Sequence, residues 1–174
     1  MTIFGLILAW IALFGPSAHA QVPPPLPGAI QMAASNLTLS QNVNVMVQQI
    51  NELKIVGDVN LIISTSTPGV GLDSAVDASS ATYNLTTNDN GKKITGSIDA
   101  SFSPGISLFV LLGAPAGGTA FNEELSTTAI DLVTGIGYAA QTGLTITYTA
   151  TAAVSAAPNG TGETRTVTLT LMDN

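Results

Sequence analysis

Few side chains in this 174-residue sequence are equipped for chemistry, and most of those are carboxylates. Eleven Asp and Glu stand against four Lys and Arg, one His and no Cys. His19 and Trp10, each the sole residue of its type, lie near the start, in a stretch that reads as a removable export signal. From Gln21 onward the chain has no His, Cys or Trp. Without Cys there is no disulfide framework, thiolate metal site or lipidated cysteine anchor. Without His the usual general base and the commonest transition-metal ligand are missing. Glu123 and Glu124 are adjacent; on an extended segment they point to opposite faces and cannot act together as an acid/base pair.

Three short stretches invite a chemical reading. "NDNG", residues 88–91, hints at a calcium loop but lacks the further oxygen ligands and the closing Glu. Asp58, Asp73, Asp77 and Asp89 therefore read as turn carboxylates, with convergence on Ca²⁺ as the alternative. "GIGYAA", residues 135–140, matches G-x-G-x-x-A, but the fingerprint needs a helix opening at it. "TGLTITYT" follows instead, so a glycine-rich turn is expected. N-x-T sequons stand at Asn36, Asn84 and Asn159, with Asn159 in the most loop-like setting. No G-x-S-x-G elbow is present. The chain is expected to be no enzyme, with no catalytic, cofactor-binding or metal-ligating residues and no cofactor.

The elements around these residues read as strands. Residues 1–20 carry an apolar run, Ile3 to Phe14, then Gly15-Pro16 and a small-x-small site ending at Ala20, the pattern of a signal peptide. Residues 21–29, "QVPPPLPGA", form a Pro-rich extended linker, because Pro cannot donate to a ladder. A β-sandwich domain is expected over residues 30–174. Apolar residues recur with period two at Leu37, Leu39, Val43, Val45 and Val47, and again at Leu53, Ile55, Val59, Leu61 and Ile63. Gly57 interrupts the second run at an inward position, which predicts a bulge or a close backbone approach. Asn90-Gly91 predicts a hairpin between strands on either side. "ISLFVLL" predicts a central strand buried on both faces. Residues 144–154 and 167–171 predict a last hairpin, with Leu144, Ile146, Tyr148, Ala150, Ala152 and Val154 inward.

Eight to ten short strands with Gly/Pro/Asn turns indicate an all-β fold, a single Ig-like or jelly-roll-like sandwich. The chain's two ends add a functional expectation. A period-two segment follows the Pro-rich lead, and "TRTVTLTLMDN" closes the sequence as a strand. This arrangement resembles fimbrial subunits of the chaperone–usher kind and spore-coat-U-like proteins, though without Cys or a penultimate Tyr. The resemblance implies donor-strand exchange, in which an N-terminal extension completes a neighbour's sandwich. The candidate interface residues are Ile30, Met32, Ala34, Leu37 and Leu39 on the donor, with Val167, Leu169 and Leu171 flanking the groove. Residues 30–47 are thus a donor or a first strand of the chain's own domain.

The expected protein is a secreted structural subunit of an extracellular filament or surface layer, whose partners are copies of itself. The alternative is a self-contained extracellular module that binds carbohydrate or a cell surface. Sugar faces stack on exposed rings; Phe102, Phe109 and Tyr148 sit in apolar strand patterns, which leaves Tyr83, Phe121 and Tyr138 for that work. A net charge of −7 disfavours nucleic acid. No membrane association is expected after signal removal. With 9% charged residues, the surface must be covered by Ser, Thr and Asn or by neighbouring molecules.

Overall fold

The computed structural model describes residues 38–174. The signal segment, the Pro-rich linker and the donor positions Ile30, Met32, Ala34 and Leu37 lie outside the described residues. The chain divides between Asn44 and Val45. Residues 38–44 are exposed and belong to no regular element.

Beyond the division the fold is all-β, with no helix among the described residues. The strands are β1 (Asn51–Val56), β2 (Ser66–Thr67), β3 (Gly71–Leu72), β4 (Ala75–Thr87), β5 (Lys92–Ile98), β6 (Ile106–Leu112), β7 (Thr119–Ala120), β8 (Asn122–Glu124), β9 (Ile130–Ile136), β10 (Ala139–Ala152) and β11 (Val167–Asp173). They form a five-stranded sheet ordered β1-β4-β10-β6-β8, a four-stranded sheet ordered β11-β5-β9-β7, and the small β2-β3 ribbon. All pairings are antiparallel.

Period-two patterning explains which residues meet in the core. Ala81, Tyr83 and Leu85 of β4, Val110 and Leu112 of β6, and Ile146 and Tyr148 of β10 turn inward from one sheet. Ile94, Ile98, Leu132, Val133 and Ile136 do so from the other. The intervening Thr145 and Thr147 stand opposite Thr82 and Leu111 on the outer face of the larger sheet. Tyr83 is fully buried and its hydroxyl donates to the Gly113 carbonyl at 2.6 Å. Burial pushes its pKa up to about 12.

Two long strands bend to keep these faces in place. The register of β10 against β4 shifts between Gln141 and Leu144, where the Gly143 N–H donates to the Asn84 side chain at 2.8 Å. It shifts again between Ile146 and Tyr148. There Asp77 accepts hydrogen bonds from the Ser79 and Ser80 amides and the Ser80 hydroxyl, which hold its carboxyl below the usual range.

Several expectations need correction. Asn90-Gly91 does not close a hairpin: β4 and β5 lie in different sheets. The type I′ turn that Asn-Gly favours needs positive φ at both central residues; Gly91 has it, at 71°, and no non-glycine among the described residues does. The last hairpin also fails, because β10 pairs with β4 and β6 while β11 pairs with β5. The run β6 is not covered on both faces, since Leu111 is 40% exposed. Val154 is exposed beyond the end of β10. Residues 38–47, read as strand-like, belong to no strand. Neither do residues 57–65, although their pattern alternates.

The close approach at Gly57 is present. Its φ is +92°, and a Cβ there would lie 2.0 Å from the Ser80 carbonyl oxygen. In the 135–140 stretch, Gly137 and Tyr138 turn the chain from the end of β9 into β10, with Gly135 at a φ of 72°, so a glycine-bearing turn is present.

Candidate functional site

The most distinctive surface in the described body is the edge where β1 and β11 come together, one from each larger sheet. Among the described residues β11 is hydrogen-bonded along one side only, to β5. Its Val167, Leu169 and Leu171 stand opposite Ile98, Gly96 and Ile94 and point toward the core. Ile94 and Ile98 are buried, whereas the three β11 side chains are only half-buried. An interior row at the sheet margin is therefore incompletely covered. Gly96 contributes no side chain there because Leu132 occupies the space; a Cβ would lie 2.5 Å from its Cδ1.

The other flank is similarly unfinished. In β1, Leu53 is half-buried and packs on the core, while Ile55 and Val56 are exposed. The chain then continues through residues 58–64 in an alternating pattern. Val59 and Leu61 rest against the core and Ile62 is 68% exposed. No backbone–backbone hydrogen bond involves residues 58–64 among the described residues. Backbone groups left without a ladder partner are a template for strand addition.

Leu39, the one described member of the proposed donor set, is 85% exposed. The apolar residues that follow it with period two, Val43, Val45 and Val47, are 72–80% exposed. Exposed apolar residues recurring in this way leave the segment without cover from the described body.

The root of this segment is held by side chains rather than by a sheet. Asn88 offers its carboxamide as a substitute rung: the Ile50 N–H donates to its Oδ1 at 2.7 Å, and its Nδ2 donates to the Gln48 carbonyl at 2.8 Å. Its own N–H donates to the Ile50 carbonyl at 3.2 Å. Asp89 accepts from the Gln49 side chain and from Lys92 Nζ, the latter at 2.9 Å. Lys92 also donates to Asp173 at the end of β11, and the Asn174 N–H donates to the Gly91 carbonyl at 2.8 Å.

The Lys92 side chain is 4% exposed. It faces inward because it shares the parity of Ile94, Gly96 and Ile98. Hydrogen bonds to Asp173 and then Asp89 raise its pKa, and the bond from Lys92 holds the Asp89 carboxyl below the usual range. Sequence reading passed over Lys92; its parity with the isoleucines was the available signal.

No protein-family model and no curated protein matches this chain.

Among the described residues no three His, Cys, Asp or Glu side chains are grouped to hold a metal ion. Glu123 and Glu124 oppose Val110 and Phe109 on β6, and so point to opposite faces. No helix among the described residues is long and apolar enough to cross a membrane. Of the aromatic residues left for stacking, Tyr83 is buried, whereas Tyr138 is 69% and Phe121 38% exposed. Phe109, expected in the core, shares the outer face with Thr149 and is only half-buried.

Proposed function

We propose that this chain is a secreted structural subunit that builds an extracellular filament or surface layer by adding a β-strand to its neighbour. The two larger sheets with their common core are read as a β-sandwich, open along the β1/β11 margin. The observation that carries the reading is the half-covered row Val167, Leu169 and Leu171 on a strand with one unpaired side. A donated strand would complete the backbone ladder and cover that row with alternate side chains. The donor is the segment that includes Ile30, Met32, Ala34, Leu37 and Leu39, whose odd-numbered row is extended by the exposed residues Val43, Val45 and Val47. Contacts of this head-to-tail kind propagate when the rotation between copies does not close.

The test is deletion of residues 30–47 from the mature chain, followed by electron microscopy and sedimentation. Loss of polymers with the folded body retained supports the reading; unchanged polymers, or a wild-type chain that stays monomeric at high concentration, overturns it. Carbohydrate binding is the second reading. Its one supporting observation is the exposed Tyr138 ring between β9 and β10, and retention of the chain on a polysaccharide column, lost with Tyr138→Ala, would favour it.

A further inference from the structure

The groups around Lys92 link the two parts that strand addition would use. On one side, Asn88 and Asp89 hold Gln48, Gln49 and Ile50 at the root of the exposed segment. On the other, Lys92 holds Asp173 at the end of β11, while Gly91 accepts from the Asn174 N–H. Both sets of contacts meet in residues 88–92, and one buried ammonium is shared between them.

We propose that residues 88–92 are a coupling clasp, through which order at the end of β11 tightens the hold on residues 48–50. Its use in assembly rests on the strand-addition reading; the coupling itself does not.

The chemistry follows from the Lys92 geometry. Its side chain is 4% exposed, whereas those of Asp89 and Asp173 are 40% and 85% exposed. The ammonium is thus the enclosed member and the carboxylates are the ones open to solvent. An inward-facing ammonium with little access to water must keep its partners, because an unpaired buried charge is costly. When Asp173 is held against it, Lys92 is oriented for Asp89. Asp89 in turn is positioned for Gln49, and the preceding residue, Asn88, for the Gln48 and Ile50 backbone. A strand seated along β11 would order Asp173 and so firm the far side. Linkage makes the effect reciprocal: a firmly held root favours an occupied edge. In a growing polymer, a subunit that has received a strand would present its own donor from a better-fixed root.

The experiment is amide hydrogen exchange on the full mature chain, read at Ile50, whose N–H donates to Asn88. Asp173→Asn removes the charge at the far side and touches neither Ile50 nor Asn88. It is expected to speed Ile50 exchange at least threefold while the amides of β4 and β9 keep their protection. Lys92→Met, which fills the same space without the charge, is expected to do the same, and Asn88→Ala sets the upper limit. If Asn88→Ala accelerates Ile50 and the other two variants leave it unchanged, the clasp does not couple and the proposal fails. A synthetic peptide of residues 30–47 separates this from the function. With the clasp intact, peptide binding along β11 should slow Ile50 exchange. A peptide that does not bind, beside an Asp173→Asn effect that persists, would overturn the strand-addition reading and leave the coupling standing.

Discussion

Gly57 passes the carbonyl of Ser80 so closely that a Cβ on Gly57 would lie 2.0 Å from that oxygen. The contact seats the end of β1 beside the bend that Asp77 stabilises in β4, and its φ of +92° suits only glycine. Gly57→Ala therefore meets both conformational strain and a backbone clash. The conformational part alone is roughly 1–2 kcal/mol, and relief of the clash should peel β1 from β4. Urea denaturation should show a lower midpoint, and exchange should rise first at Val56 and Lys54, whose amides face β4.

Leu169→Lys tests the edge without disturbing the deep core. Leu169 is half-buried opposite Gly96, so the long Lys stem can reach solvent at the margin. The expected result is a folded chain with unchanged strand content by circular dichroism that no longer self-associates in sedimentation. Leu132→Ala, in contrast, removes a fully buried side chain and should cost about 2–5 kcal/mol in global stability.

The pH dependence of the clasp has a definite sign. The depressed Asp89 contributes stability above its ordinary value of 3.8, lost as pH falls through its lower folded value. The elevated Lys92 contributes stability below 10.5, lost as pH rises through its higher folded value. The difference in urea midpoint between wild type and Lys92→Met should therefore be flat between these limits and shrink outside them. A difference that changes steeply near neutrality would contradict the assignment.

Tyr83 gives a second titration. Its neutral form is favoured in the fold, with the pKa raised from 10.0 to about 12. Its contribution is complete below 10.0 and is lost as pH rises through the folded value. Ultraviolet difference titration should show two late phenolates, Tyr83 and Tyr148, both raised by burial, and the one near 12 should be absent in Tyr83→Phe. That substitution also leaves the Gly113 carbonyl without its donor, at a cost of about 1–3 kcal/mol.

Alternation in the sequence revealed which residues face the core but not which strands are neighbours. The parity of Ile146 and Tyr148 against Thr145 and Thr147 placed the two faces of β10 correctly. It carried no information on partners, because a sheet face looks alike whichever strand lies beside it. Asn90-Gly91 and residues 153–166 are turns, but each carries the chain from one sheet to the other, so the hairpins inferred from them do not form. The alternating residues 38–47 and 58–64 lack strand partners among the described residues, because propensity alone supplies no partner for the backbone. Val167, Leu169 and Leu171 were legible as one inward row. Their incomplete cover was not, since it depends on what the neighbouring sheet leaves open.

The crossings between sheets bear on how the chain reaches this state. The Lys92–Asp173 contact spans 81 positions, and β11 joins only β5, on the far side of β6 through β10 in sequence. Closing such a distant pair comes at a large entropic cost before any contact repays it, so acquisition of the native topology should be slow. A ribosome must also have made the chain through β11 before β5 can pair along that side. Until then, Ile94 and Ile98 have no β11 beside them, and the newborn molecule carries uncovered apolar side chains that invite clumping.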